Sequence, residues 1–168
     1  MELSKLKFSP PSYTIAEEEA VKECIKNSWT GSGPKLKEFE EKFRIYRNAQ
    51  YSAGFFSCTS AIFLALKSLN ITQGDEVITT AMTFCSTVNC IIQTGAKPVL
   101  CDVDPITKNI IPEQIIKNIT SKTKAIIPVH FAGFPCDMDK IMEIAKEYNL
   151  LVIEDCAHAI EAQFKGKN

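Results

Sequence analysis

The sequence predicts an α/β fold, a parallel-rich sheet with helices on both faces. Three observations carry that reading. After residue 51, short apolar runs alternate with helical patterns about five times. The apolar runs are near-continuous, as in strands buried on both faces. Each run ends on a turn or capping signal that opens the next helix, the grammar of strand–helix–strand units.

Taken in order, Thr14 and Glu17 have capping-box spacing and open a helix through about Asn27, with Ile15, Val21 and Ile25 on its inward face. The loop from Trp29 ends at Pro34, a residue suited to the first turn of a helix. In that second helix Leu36, Phe39, Phe43 and Tyr46 recur at helical spacing. Residues 1–50 therefore read as an N-terminal helical arm and 51–168 as the sheet domain. There the pattern predicts a strand over 51–56, a helix over 59–69 and a strand over 76–80. A helix around 85–93 follows, stopped by Gly95, then a strand over 98–103 and a turn at Asp104-Pro105. A helix over 112–119 and a strand over 124–129 come next. Asp137 caps a helix over 138–148, with Asn149 as its stop, and a last strand over 150–153 runs into Glu154-Asp155.

Composition excludes several partners. The chain of 168 residues is 45% hydrophobic and 23% charged, a globular balance. Its 19 basic and 20 acidic residues leave a net charge of −1, so nothing draws it to nucleic acid or anionic lipid. No run approaches the roughly 18 apolar residues of a membrane span. The first residues, Met1 to Lys7, carry no apolar stretch of signal-peptide type. Seven cysteines, an odd number without a Cys-x-x-Cys pair, read as reduced thiols of a cytoplasmic protein. His130, His158, Cys136 and Cys156 are irregularly spaced for zinc, and no metal is expected.

In open parallel sheets ligands bind beyond the carboxyl ends of the strands, which selects three places. Ser57-Cys58-Thr59-Ser60 puts hydroxyls and unpaired N–H groups at a helix N-terminus, either an anion cradle or a plain cap. Thr83-Phe84 offers an aromatic face for a flat ring, or simple core packing. In Glu154-Asp155-Cys156-Ala157-His158 a carboxylate ends a strand with an imidazole three residues on. Asp155 there either holds a protonated ring nitrogen or caps the next turn. No GxGxxG or Walker pattern occurs.

Gly74-Asp75-Glu76-Val77-Ile78, Gly95-Ala96-Lys97-Pro98-Val99, Asp102-Val103-Asp104-Pro105, Pro128-Val129-His130, Asp137-Met138-Asp139 and Glu154-Asp155-Cys156-Ala157-His158-Ala159 occur in the order of one family. Together with Thr83-Phe84, they resemble the DegT/StrS-type sugar aminotransferases, from about residue 8 to the last. The resemblance implies the large domain of a pyridoxal 5′-phosphate (PLP) enzyme of aspartate-aminotransferase fold type I. Such enzymes are usually homodimers acting on nucleotide-linked keto sugars with glutamate as amino donor. It implies that Thr59 and Ser60 hold the PLP phosphate, that Phe84 stacks on the pyridine ring, that Asp155 pairs with the ring nitrogen, and that His158 lies beside the cofactor.

Two departures stand out. Cys58 occupies a place that is usually glycine in the family's phosphate loop. The Schiff-base lysine is expected roughly 30 residues beyond Asp155, past Asn168, and Lys165 and Lys167 come too early for it. The resemblance therefore implies a domain incomplete at its C-terminus, lacking the small domain and inactive alone. Its first strand, over 51–56, is expected to be unpaired or detached. Two alternatives are a non-catalytic module binding PLP or a partner, and a PLP-dependent sugar dehydratase of the same family.

Overall fold

The capping box at Thr14 is closed in the computed structural model of the chain, which describes residues 11–166. Thr14 Oγ1 accepts the Ala16 N–H at 3.2 Å, and the Glu17 carboxylate accepts the Thr14 N–H at 2.6 Å. They start α1 (Ile15–Lys26); α2 (Pro34–Tyr46) begins on its proline. Neither helix buries a residue, and Phe39 and Phe43 pair their rings on α2. Both belong to a first unit that ends at Gly54, and a second unit begins at Phe55 and holds the sheet.

The segment over 51–56, expected to be an unpaired or detached strand, is unpaired and takes no strand form. A strand exists only through a neighbour's ladder, and none of the described residues supplies one. Instead the Gly54 N–H donates to the Glu40 carboxylate at 2.8 Å.

The second unit is a four-stranded parallel sheet: β1 (Glu76–Thr80), β2 (Lys97–Cys101), β3 (Thr123–Ile126) and β4 (Leu151–Val152), in the order β2-β1-β3-β4. Its helices are α3 (Cys58–Ser68), α4 (Cys85–Gln93), α5 (Pro112–Asn118) and α6 (Met138–Glu147). β3 is shorter than its apolar run because Pro128 has no N–H to continue the ladder. Pairing nevertheless resumes beyond both strands. Ile153 N–H donates to Ile126 O at 3.0 Å, Asp155 N–H to Pro128 O at 2.9 Å, and Val129 and Asp155 form a parallel bridge.

Strand residues alternate between two cores, as the period of two requires. Val77, Ala125 and Ile127 pack on one face with Ile62, Leu66 and Ile91 of α3 and α4. Ile78 and Ile126 pack on the other with Ile115, Ile141 and Ile144 of α5 and α6. Each fully buried isoleucine contributes on the order of 1.5–3 kcal/mol. All seven cysteines are free thiols. Among the described residues no helix is long and apolar enough to cross a membrane.

Candidate functional site

The sheet order decides where a ligand can sit. From β1 the chain moves to β2 on one side, then crosses back to β3 on the other, so the strand order reverses between β1 and β3. The carboxyl ends on either side of such a reversal diverge and leave a crevice. A cleft of about 80 Å³ lies there. Thr83 and Phe84 line it beyond β1, His130, Phe131 and Ala132 beyond β3, and Asp155 and His158 beyond β4.

Asp155, only 5% exposed, is one of two buried polar side chains that line this cleft, the other being His130. Its backbone is pinned on both sides, its N–H on Pro128 O and its carbonyl accepting the His130 N–H at 3.2 Å. Its carboxylate receives three neutral donors. The Thr87 hydroxyl donates to Oδ2 at 2.8 Å, while the Ala157 N–H at 3.3 Å and the Cys58 thiol at 3.8 Å reach Oδ1. An ionised carboxylate only accepts, and every one of these groups donates. The thiol contact brings the start of α3 to the same carboxylate. Desolvation of its sulfur, then the Asp155 charge, push the Cys58 thiol up to about 11.

At the start of α3, Ser57 Oγ accepts the Ser60 N–H at 3.2 Å, and the Ser60 hydroxyl donates to Ser57 O at 2.7 Å. This cap uses the Ser60 amide and leaves those of Cys58 and Thr59 without an acceptor among the described residues. Phe84 is the N-cap residue of α4 and presents its ring to solvent at 75% exposure, which removes the core-packing reading. His158 is exposed at the rim. A tight turn follows His130, with Ala132 at φ +50° and Gly133 at φ +86°. A Cβ on Gly133 would stand 3.0 Å from the His158 carbonyl, so this glycine permits the close approach. Phe84, Asp155 and His158 thus share one cleft, and Cys58 links the Thr59–Ser60 turn to it.

Sequence reasoning missed two residues here. Thr87 lies one turn inside α4 rather than at a strand end; its i,i+4 spacing from Thr83 was the available signal. His130, a zinc candidate and part of the Pro128-Val129-His130 segment, holds its ring as a strut. Nδ1 accepts the Cys136 N–H at 3.0 Å, and Nε2 lies 3.0 Å from Glu154 Oε2. Burial opposes a charge on this ring, yet the Cys136, Cys156 and Glu154 side chains outweigh it and on electrostatics alone push the imidazole well above its ordinary value. The backbone N–H decides between them, because a doubly protonated ring offers it no acceptor. His130 is therefore neutral, with its proton on Nε2. His130, Glu154 and Cys156 each offer one ligand atom within 4.8 Å of the others, a group that could hold a metal ion.

A larger cavity, about 460 Å³, lies beside Asn109, Phe134 and Phe164. Its lysines are matched by acids: Lys140 with Glu113 and Asp137, and Lys165 with Asp139. No lysine lines the cleft at Asp155 among the described residues. Lys165 is engaged elsewhere, and Lys167 lies outside the described residues.

Residues 11–168 match the profile of the DegT/DnrJ/EryC1/StrS aminotransferase family. The chain is 44% identical over 162 residues to the spore coat polysaccharide biosynthesis protein SpsC of Bacillus subtilis, covering 96% of this chain and 42% of SpsC. It superposes on the aminotransferase from Psychrobacter cryohalolentis with a TM-score of 0.90 at 43% identity, covering 96% of this chain and 42% of the other. On NtdA of Bacillus subtilis, solved with bound cofactor PMP, the TM-score is 0.88 at 35% identity, with 99% and 40% covered. The chain thus spans less than half the length of these relatives.

Proposed function

The chain belongs to the DegT/DnrJ/EryC1/StrS aminotransferase family, and we propose that it forms the PLP platform of a sugar aminotransferase. The observation that carries this reading is Asp155, a buried carboxylate at the sheet's switch point, surrounded by donors and opening beside an exposed aromatic ring. That donor set fits the cofactor, whose protonated ring nitrogen needs an acceptor, whose flat ring needs a face and whose phosphate needs N–H and hydroxyl donors. When bound, PLP supplies the electron sink that transamination requires.

In this reading Asp155 accepts the ring N–H, Phe84 covers one face of the ring, and His158 stands beside the cofactor. The Cys58 and Thr59 amides and the Thr59 hydroxyl hold the phosphate at the start of α3. Ser60 joins them by releasing its hydroxyl from the Ser57 carbonyl. Cys58, in place of glycine, directs its thiol to Asp155 rather than into the phosphate loop. The cleft holds no lysine among the described residues, so these residues bind and orient the cofactor without anchoring it covalently. The substrate proposed for the whole protein is a nucleotide-linked keto sugar, with glutamate as donor, in a cytoplasmic homodimer. The polysaccharide pathway in the name of SpsC supports a sugar substrate.

Equilibrium dialysis of the purified chain against PLP, followed by borohydride treatment and mass spectrometry, tests the proposal. Saturable binding that Asp155→Ala abolishes, without a reducible adduct and without turnover, is the expected result. Absence of saturable binding would sink it, and an adduct on Lys165 would reject the non-covalent assignment.

A further inference from the structure

We propose that Thr87, supported by Thr83, is the positioning residue for Asp155, a two-hydroxyl relay that orients the carboxylate and keeps it an acceptor toward the cofactor's ring nitrogen. The inference rests on the PLP reading above and assigns a role to Thr87, inside α4 and away from the strand ends.

Proton counting fixes the direction of the relay. Thr87 Oγ1 lies 2.8 Å from Asp155 Oδ2 and 2.7 Å from Thr83 Oγ1. A hydroxyl has one proton, and an ionised carboxylate has none to give. Thr87 therefore donates to Asp155, and Thr83 donates to Thr87. Each bond leaves its acceptor better prepared to polarise the next.

The surroundings make this relay matter. Among the described residues no lysine, arginine or histidine ring bonds the Asp155 carboxylate, so neutral donors alone stand against its buried charge. Thr87 makes the shortest of these contacts. It is fully buried, and its branched Cβ restricts χ1, so its hydroxyl holds one direction. Its own N–H donates to Phe84 O at 3.2 Å. One turn of chain, Thr83 to Thr87, thus places both the aromatic wall of the cleft and the donor that aims the carboxylate.

The test uses the full chain and PLP labelled with ¹⁵N at the ring nitrogen. Dissociation constants and the bound ¹⁵N shift are measured for wild type, Thr87→Val, Thr87→Ser and Thr83→Val, with thermal melts alongside. Valine keeps the branched shape and removes the hydroxyl, so Thr87→Val should weaken PLP binding about tenfold, the loss expected for one bond to a charged group. It should also move the ¹⁵N signal toward that of an unprotonated pyridine. Thr87→Ser should restore both readouts, and Thr83→Val should shift both in the same direction by less. A merely structural Thr87 would lower the melting temperature of Thr87→Val and leave the bound ¹⁵N shift at the wild-type position, which overturns the relay. If Thr87→Val does not fold, Thr83→Val decides: an unchanged ¹⁵N shift there rejects the relay. A wild-type chain that fails to bind PLP rejects the cofactor reading itself, a separate result.

Discussion

Replacing His130 by phenylalanine should cost the fold about 2–4 kcal/mol, and the figure can be built bond by bond. The ring is 5% exposed, and phenylalanine refills that space with a slightly larger flat ring that lacks the two nitrogen contacts. Cys136 is fully buried, and its N–H, which now donates to Nδ1 at 3.0 Å, would be left without an acceptor. A stranded buried donor costs about 1–3 kcal/mol. The Nε2 bond to Glu154 contributes less, about 0.5–1.5 kcal/mol, because the partly exposed carboxylate turns to water when the ring is gone. His130→Asn separates the two contributions. Its amide oxygen lies near the position of Nδ1 and keeps the Cys136 bond, so it should lose only about 1–2 kcal/mol. Urea denaturation with a constant m value measures both variants. A phenylalanine variant as stable as wild type, or an asparagine variant as damaged as phenylalanine, would refute the neutral-strut argument.

Two further outcomes follow from the electrostatics. Glu76 is buried on β1, and its pKa is lowered by the Thr120 hydroxyl first and by Lys97 next. A depressed folded pKa gives stability that is present above the unfolded value, about 4.3, and disappears as pH falls through the folded one. The stability gap between wild type and Glu76→Gln should therefore be full at neutral pH and close in acid, and a gap that widens on acidification contradicts the pairing. With its thiol pushed up to about 11, Cys58 should alkylate slowly at pH 8 and accelerate steeply above pH 10. Asp155→Asn should speed that reaction at pH 8; mass spectrometry of iodoacetamide-treated protein reads both, and an unchanged rate would detach Cys58 from Asp155.

What was legible in the chain followed from local chemistry. β1 and α4 have their expected bounds because a run of buried residues and a cap are properties of adjacent residues. That Phe84, Asp155 and His158 line one cleft was legible because strand ends are where parallel sheets open. The segment over 51–56 has side chains that suit a strand, but a strand needs a neighbour's ladder, and it stands unpaired, as the resemblance implies. The His130–Glu154 contact spans 24 residues and exists only because β3 and β4 are adjacent. Cys58 stands where the family usually has glycine, and its contact with Asp155 depends on a fold that joins residues 97 apart.

The most direct test of the central claim is a crystal structure of the chain grown with PLP. The account predicts the ring nitrogen within about 3 Å of the Asp155 carboxylate, the ring against Phe84 and the phosphate at the start of α3. A saturated protein whose cofactor sits elsewhere, for example in the larger cavity beside Asn109 and Phe164, would contradict it.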